Sequence, residues 1–144
     1  YSRTKKNVDI EQTDLDDLLS RADYISLNCP LTEQTKNLIC RENIAKMKDG
    51  VILLNTARGP LICEQDLKEA LVSGKVSYAA MDVVETEPIP EDSPLLSAPN
   101  VLITPHTAWA AKETRQRLMD IAVENLSAYV HGKPIHVVNL KSKG

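Results

Sequence analysis

Short, almost wholly apolar runs alternate along this chain with stretches whose apolar residues recur three and four positions apart. That alternation predicts strands interleaved with amphipathic helices. Leu15, Leu18, Leu19 and Ala22 share one helical face over Asp14 to Ala22, with Thr13 as the candidate cap, and Tyr24 to Leu27 follows as a short buried strand closed by Pro30. Arg41 to Met47 predicts a second helix. Gly50 then releases the chain into Val51 to Leu54, apolar at every position and therefore expected to be covered on both faces. Leu67, Ala70 and Leu71 mark a helix over Glu64 to Ser73, Gly74 supplies its C-cap, and a strand is expected over Val76 to Val84. A loop holding Pro88, Pro90, Pro94 and Pro99 leads to a last short strand, Val101 to Ile103. From Lys112 to Val130, Leu118, Ile121, Ala122, Leu126 and Tyr129 form one broad apolar stripe, which Gly132 and Pro134 end. Strands separated by helices in this order imply a parallel sheet with helices on both faces.

Composition narrows the class. At 144 residues, 42% apolar and 26% charged, the chain reads as one globular domain with a sizeable core, and with no Phe that core must be aliphatic. A net charge of -3 gives no reason to expect nucleic acid or an anionic membrane surface as a partner. No apolar run reaches the length of a membrane span, and no signal-peptide pattern is seen at the start. Cys29, Cys40 and Cys63 are an odd number without paired metal-type spacing, which fits a reducing, cytoplasmic setting.

Candidate chemistry lies just beyond the strands. Arg58, Glu87 and His106 each follow one of the apolar runs, and in an open α/β sheet ligands bind outside the carboxyl ends of the strands, so the three can converge on one substrate. An arginine grips a carboxylate through its planar fork, a histidine exchanges a proton near neutral pH, and an acid beside it fixes the imidazole's orientation. That set suits oxidation of an alcohol or reduction of a ketone. Each residue also has a plainer reading: a surface arginine, a solvated acid among Glu85, Glu91 and Asp92, a satisfied core histidine. The Arg-Gly step straight after a strand and Pro105 beside His106 favour function, whereas composition alone leaves Glu87 a solvated charge. Asp82, ending a strand, either serves the site or caps a turn. No His-x-x-x-His or Cys-x-x-Cys pair offers metal ligands, and no Gly-x-Ser-x-Gly elbow suggests a hydrolase.

Four segments then bring a family into view. They are Ala22-Asp23-Tyr24-Ile25-Ser26-Leu27-Asn28-Cys29-Pro30, Met47-Lys48-Asp49-Gly50-Val51-Ile52-Leu53-Leu54-Asn55-Thr56-Ala57-Arg58-Gly59, Ala80-Met81-Asp82-Val83-Val84-Glu85-Thr86-Glu87-Pro88 and Thr104-Pro105-His106-Thr107-Ala108-Trp109. In this order they resemble the signatures of the D-isomer-specific 2-hydroxyacid dehydrogenases, and His-Thr-Ala-Trp is most similar to the glycerate dehydrogenase and hydroxypyruvate reductase branch.

The resemblance implies a Rossmann-like parallel sheet flanked by helices and direct hydride transfer between nicotinamide C4 and C2 of a small 2-oxoacid or D-2-hydroxyacid. On it, Arg58 binds the substrate carboxylate and carbonyl oxygen, His106 is the general acid or base, and Glu87 pairs with the imidazole. Asp82 matches the aspartate near the carboxamide, and Cys29, Pro30, Thr35, Thr56, Ala57 and Ala108 match cofactor-lining positions. Trp109 either walls the substrate pocket or packs under the last helix. The resemblance also implies a homodimer, with residues 1–111 completing a nucleotide-binding domain and 112–144 forming a return helix and tail packed toward a substrate domain.

Departures from the pattern carry their own expectations. No Gly-x-Gly-x-x-Gly loop occurs, so the first strand and its glycine loop are expected to lie before Tyr1, leaving this chain a piece that alone binds cofactor poorly. With the usual order 3-2-1-4-5-6, that loss is expected to separate Tyr24–Leu27 from Val51–Leu54 and bare two strand edges. Ser2 and Arg3 stand where an acidic residue would select NAD. Either NAD or NADP is open, with a slight lean to NADP for the hydroxyl and cations there. A reading from another class is a non-catalytic NAD(H)-sensing protein or corepressor on the same fold, against which stands the presence of all three catalytic groups.

Overall fold

The computed structural model describes residues 1–2 and 7–139. It divides into two compact units, Tyr1–His106 and Thr107–Gly144. The first unit holds α1 (Leu15–Arg21), β1 (Tyr24–Leu27), α2 (Arg41–Lys46), β2 (Val51–Asn55), α3 (Glu64–Ser73), β3 (Val76–Met81) and β4 (Val101–Ile103), with 3-10 turns at Gly59–Leu61 and Pro94–Ser97. In the second unit α4 runs over Lys112–Val130, as its stripe predicts, with Leu118, Met119, Leu126 and Tyr129 exposed.

All four strands are parallel and ordered β1-β2-β3-β4. Contrary to the separation expected of Tyr24–Leu27 and Val51–Leu54, β1 pairs directly with β2, Tyr24 opposite Ile52 and Leu27 opposite Asn55. The four strands therefore lie on one side of any reversal in strand order, and β1 and β4 form the edges of this described sheet. Successive crossovers of one hand that all step the same way must return on the same face. This is why α1 packs on α2 and α2 on α3, with α3 against β3, rather than the helices dividing between two faces.

One-sided cover leaves a period of two in the burial. Ile25, Leu27, Val51, Leu53, Ala79 and Met81 point under the helices and are buried, whereas Tyr24, Tyr78 and Leu102 on the opposite face are exposed. Ile52 and Leu54 are only half-buried, so the wholly apolar run of β2 is covered on one face within this unit, not two. The core is aliphatic, as the absence of Phe requires.

Two local departures concern capping and length. Asp14, not Thr13, caps α1: its side chain accepts the Asp17 N–H at 2.8 Å, and the Thr13 hydroxyl donates instead to the Asp17 carboxylate. The third strand stops at Met81, not Val84: the Asp82 N–H makes the last ladder bond, to Asn55 O, and the Asp82 carbonyl accepts the N–H of His106 in the loop beyond β4, both at 2.9 Å. Gly74 ends α3 in the left-handed conformation at φ 78°, the C-cap expected of it.

Leu67 on α3 is fully buried and Val72, on the same helix, is 67% exposed. Leu67→Ala is expected to lower unfolding free energy by about 2–5 kcal/mol. Val72→Ala should change it by no more than about 0.5 kcal/mol. Urea denaturation of the two variants checks both.

Candidate active site

The parallel ladder sets the first relation between the candidate residues. Asn55 of β2 is level with Met81 of β3, and Met81 with Ile103 of β4. Arg58 and His106 each stand three residues beyond that level and Glu87 stands six beyond it, so all three leave the sheet at its carboxyl edge.

The β2 end is fixed by Asn55, a wholly buried amide closing an otherwise apolar strand. Its Nδ2 donates to Arg58 O at 2.9 Å and its Oδ1 accepts the Ala57 N–H at 3.0 Å, folding the chain into a tight turn. Thr56 and Arg58 are exposed on that turn, and Arg58 Nη1 donates to Ala57 O at 2.6 Å. Gly59 follows because nothing larger fits: a Cβ there would lie 1.9 Å from Val84 O. The turn carrying Arg58 and the start of the loop carrying Glu87 are thus in backbone contact.

Glu87 and His106 meet directly. The imidazole Nδ1 is 2.8 Å from Glu87 Oε2, and since a carboxylate only accepts, Nδ1–H is the donor. The other carboxylate oxygen, Oε1, accepts the Val84 N–H at 3.2 Å. The hydrogen bond from His106 holds the Glu87 carboxyl below the usual carboxylate range, aided by the Val84 amide and opposed by desolvation and by the charge of Asp82. Glu87 is therefore the partner of the imidazole, not the solvated charge that composition alone suggests. His106 sits in the left-handed region at φ 54°, a conformation a histidine adopts more readily than a branched residue. Its N–H, shared between Asp82 O and Thr104 O at 2.9 Å each, maintains that turn.

These groups border a cavity of about 530 Å³, with Asp82, Glu87, Thr104 and His106 as its polar members and Val84, Ile89 and Ile103 among its apolar walls. Asp82 is buried, and the Thr104 hydroxyl donates to its carboxylate at 2.5 Å, so it is both a turn-former and a lining residue. Arg58 is on the neighbouring strand end and does not line this cavity.

A second cavity, of about 450 Å³, lies at the end of β1 and collects Ser2, Leu27, Asn28, Cys29, Thr35 and Ile39 among its lining residues. Thr35 is buried and works as a brace: its hydroxyl donates to Pro30 O at 2.7 Å and accepts the Thr32 N–H at 2.8 Å. Pro30 itself is exposed at the rim of that turn. Arg3 lies outside the described residues. Ala108 and Trp109 belong to the second unit and are exposed there.

Asn55 and Gly59 set the Arg58 turn, yet the sequence reading gives neither a role. An amide at the end of an apolar strand was the available signal for Asn55; the contact that demands Gly59 comes from residues some 25 positions away and has no local signal.

A lowered carboxyl pKa stabilises the fold above the ordinary glutamate value of 4.5, and that contribution is lost as pH falls through the folded value. The gap in thermal midpoint between the unsubstituted chain and Glu87→Gln is therefore expected to be largest near neutral pH and to close on acidification to about pH 3. Melting curves across that range check it.

Comparison with known proteins agrees with this architecture. The family model described as D-isomer specific 2-hydroxyacid dehydrogenase, NAD binding domain, matches residues 1–108. A hydroxypyruvate reductase of Blautia hydrogenotrophica is 58% identical over 134 residues, which is 93% of this chain and 42% of that protein. A glycerate dehydrogenase of Methylorubrum extorquens is 48% identical over 128 residues, 87% of this chain and 40% of that protein. Among solved structures, a D-isomer specific 2-hydroxyacid dehydrogenase from Xanthobacter autotrophicus Py2, in complex with NADPH and MES, superposes with a TM-score of 0.74 at 36% identity, covering 85% of this chain and 50% of that one. The chain thus spans less than half the length of these curated relatives. With its family signatures at the carboxyl edge of a parallel sheet and the match running through 108 of its residues, the chain belongs to the D-isomer specific 2-hydroxyacid dehydrogenases, in their NAD-binding domain.

Proposed function

We propose that this chain is the catalytic-residue-bearing part of an NAD(P)-dependent oxidoreductase that interconverts a small 2-oxoacid and its D-2-hydroxyacid, with hydroxypyruvate and D-glycerate as the pair. The observation that carries the reading is the 2.8 Å contact between Glu87 and His106 on the wall of a cavity at the carboxyl edge of the sheet. The names of the relatives from Blautia and Methylorubrum support the choice of substrate.

The described cavities suit the cofactor. A recess with Ser2, Cys29 and Thr35 among its lining residues suits an adenosine, and the family resemblance adds Pro30, Thr56 and Ala57, which are compact enough for close approach. Asp82 and the 530 Å³ cavity would hold the nicotinamide, which supplies or takes up the hydride when bound, and the family resemblance adds Ala108 to the cofactor set. Ser2 and Arg3 in place of an acid favour NADP slightly over NAD, and the NADPH bound by the Xanthobacter relative is consistent with that lean.

The protein's own groups perform the rest. Arg58 engages the substrate carboxylate through its fork and faces the carbonyl oxygen on which negative charge develops during reduction. With Nδ1 committed to Glu87, His106 delivers or removes the substrate proton through Nε2. One such positioned acid-base group contributes about 100- to 10,000-fold to rate. Trp109 contributes to substrate selection. The complete enzyme is a cytoplasmic homodimer, a setting supported by three free cysteines, and the exposed apolar residues of α4 support a role for residues 112–144 in packing toward a substrate domain.

The test is oxidation of reduced cofactor by hydroxypyruvate, followed by absorbance. A protein of the relatives' full length that contains these residues is expected to turn over, and the 144 residues alone, which match 42% of the Blautia relative, are not. His106→Gln should lower kcat by about 100-fold or more, and Arg58→Gln should both raise the KM for the 2-oxoacid and lower kcat. Equal activity of the His106 variant sinks the reading. Michaelis constants for NADH and NADPH decide the cofactor, and strict NADH use overturns the lean.

A further inference from the structure

Glu64 is a carboxylate where carboxylates are seldom found. It stands in the first turn of α3, is only 6% exposed, and has no part in the proton or hydride chemistry. Burial of a charge requires that its oxygens be occupied, and here each has a partner. Oε1 accepts the Glu85 N–H at 2.7 Å, and Oε2 accepts the hydroxyl of Ser93, itself buried, at 3.1 Å.

Those partners flank the acidic loop between β3 and β4. Ser93 also accepts the Leu95 N–H and begins the Pro94–Ser97 turn, and one helical turn beyond Glu64, Lys68 Nζ donates to Ser97 Oγ at 2.8 Å. The start of α3 thus grips the loop at both ends. At the near end the Val84–Glu85 peptide is also pressed against Gly59, where a Cβ would fall 1.9 Å from Val84 O and 2.5 Å from Glu85 N. The peptide is clamped between the residue after Arg58 and the carboxylate of Glu64, and Glu87 is two residues further on.

We propose that Glu64 is a positioning residue for the Glu87–His106 pair: by fixing the Glu85 amide it sets where the Glu87 carboxylate meets the imidazole. The claim deepens the function proposed above and rests on it only for its catalytic consequence. Geometry carries it, because the clamped 84–85 peptide joins Val84, whose own N–H holds one Glu87 oxygen, to the short segment leading to Glu87, whose other oxygen is on His106, so a shift of that peptide moves the acceptor off Nδ1. The lowered Glu87 carboxyl is then a reporter of the contact: His106 and the Val84 amide lower it, and desolvation and the charge of Asp82 raise it.

The experiment is carbon-13 NMR titration of the Glu87 carboxyl in the 144-residue chain, with kcat and KM measured in the complete enzyme. Glu64→Asp withdraws the carboxyl by one methylene while keeping its charge. It is expected to raise the Glu87 midpoint toward an ordinary glutamate and to lower kcat by about 10- to 100-fold with little change in KM. Glu64→Gln retains an oxygen for the Glu85 amide and an amide for Ser93 Oγ, and should restore both readings. Ser93→Ala should lower the thermal midpoint and leave the Glu87 titration in place. A Glu64→Asp variant that is folded and less stable, yet titrates unchanged at Glu87, overturns the proposal by reducing Glu64 to a structural tie. If the midpoint moves as expected and the complete enzyme shows no turnover of hydroxypyruvate, the positioning role stands and the substrate reading fails.

Discussion

The constraint on which the rest depends is the shared direction of four strands in one register. Parallel strands bring all their carboxyl ends to one edge, so turns that are 30 or 50 residues apart in sequence leave the sheet as neighbours. Asn55, Met81 and Ile103 are level across β2, β3 and β4, and the residues that follow them inherit that alignment. A register slip of one residue would turn Ile25, Leu53 and Met81 out of the aliphatic core, which is why the burial pattern fixes the register and, through it, the placement of the site.

Precision beyond the sheet comes from buried polar groups that brace the turns. Asn55 holds the Arg58 turn, Asp82 holds Thr104 and the His106 backbone, Thr35 holds the Pro30 turn and Glu64 holds the loop before Glu87. Each would be costly in an apolar interior without a partner. Among the described residues no buried side-chain nitrogen or oxygen lacks one. The strained φ of His106 belongs to the same system, since its N–H is shared by two carbonyls that keep the turn from relaxing.

Elements whose signal is local were plain in the sequence. The stripe of α3 and its glycine cap, the three residues of β4 and the limits of α4 all follow from periodicity and punctuation. The cap of α1 was misjudged by one residue because Thr13 and Asp14 are both competent caps, and only the position of the Asp17 amide chooses between them. Three catalytic candidates were found by their place after strands, but Asn55 and Gly59 received no role, since their function lies in what they touch across the fold.

By itself the sequence determined the parallel α/β class, the aliphatic core and the kinds of chemical group at the strand ends, because hydrophobic period, residue type and spacing are properties of neighbouring residues. Only the tertiary structure decided that β1 lies against β2 and that the helices of the first unit share one face, and it turned the Glu87–imidazole pairing, which the family resemblance implied and composition did not, into a 2.8 Å contact. Those outcomes depend on crossover direction and on contacts between segments 20 or more residues apart, and no pattern of adjacent residues encodes them.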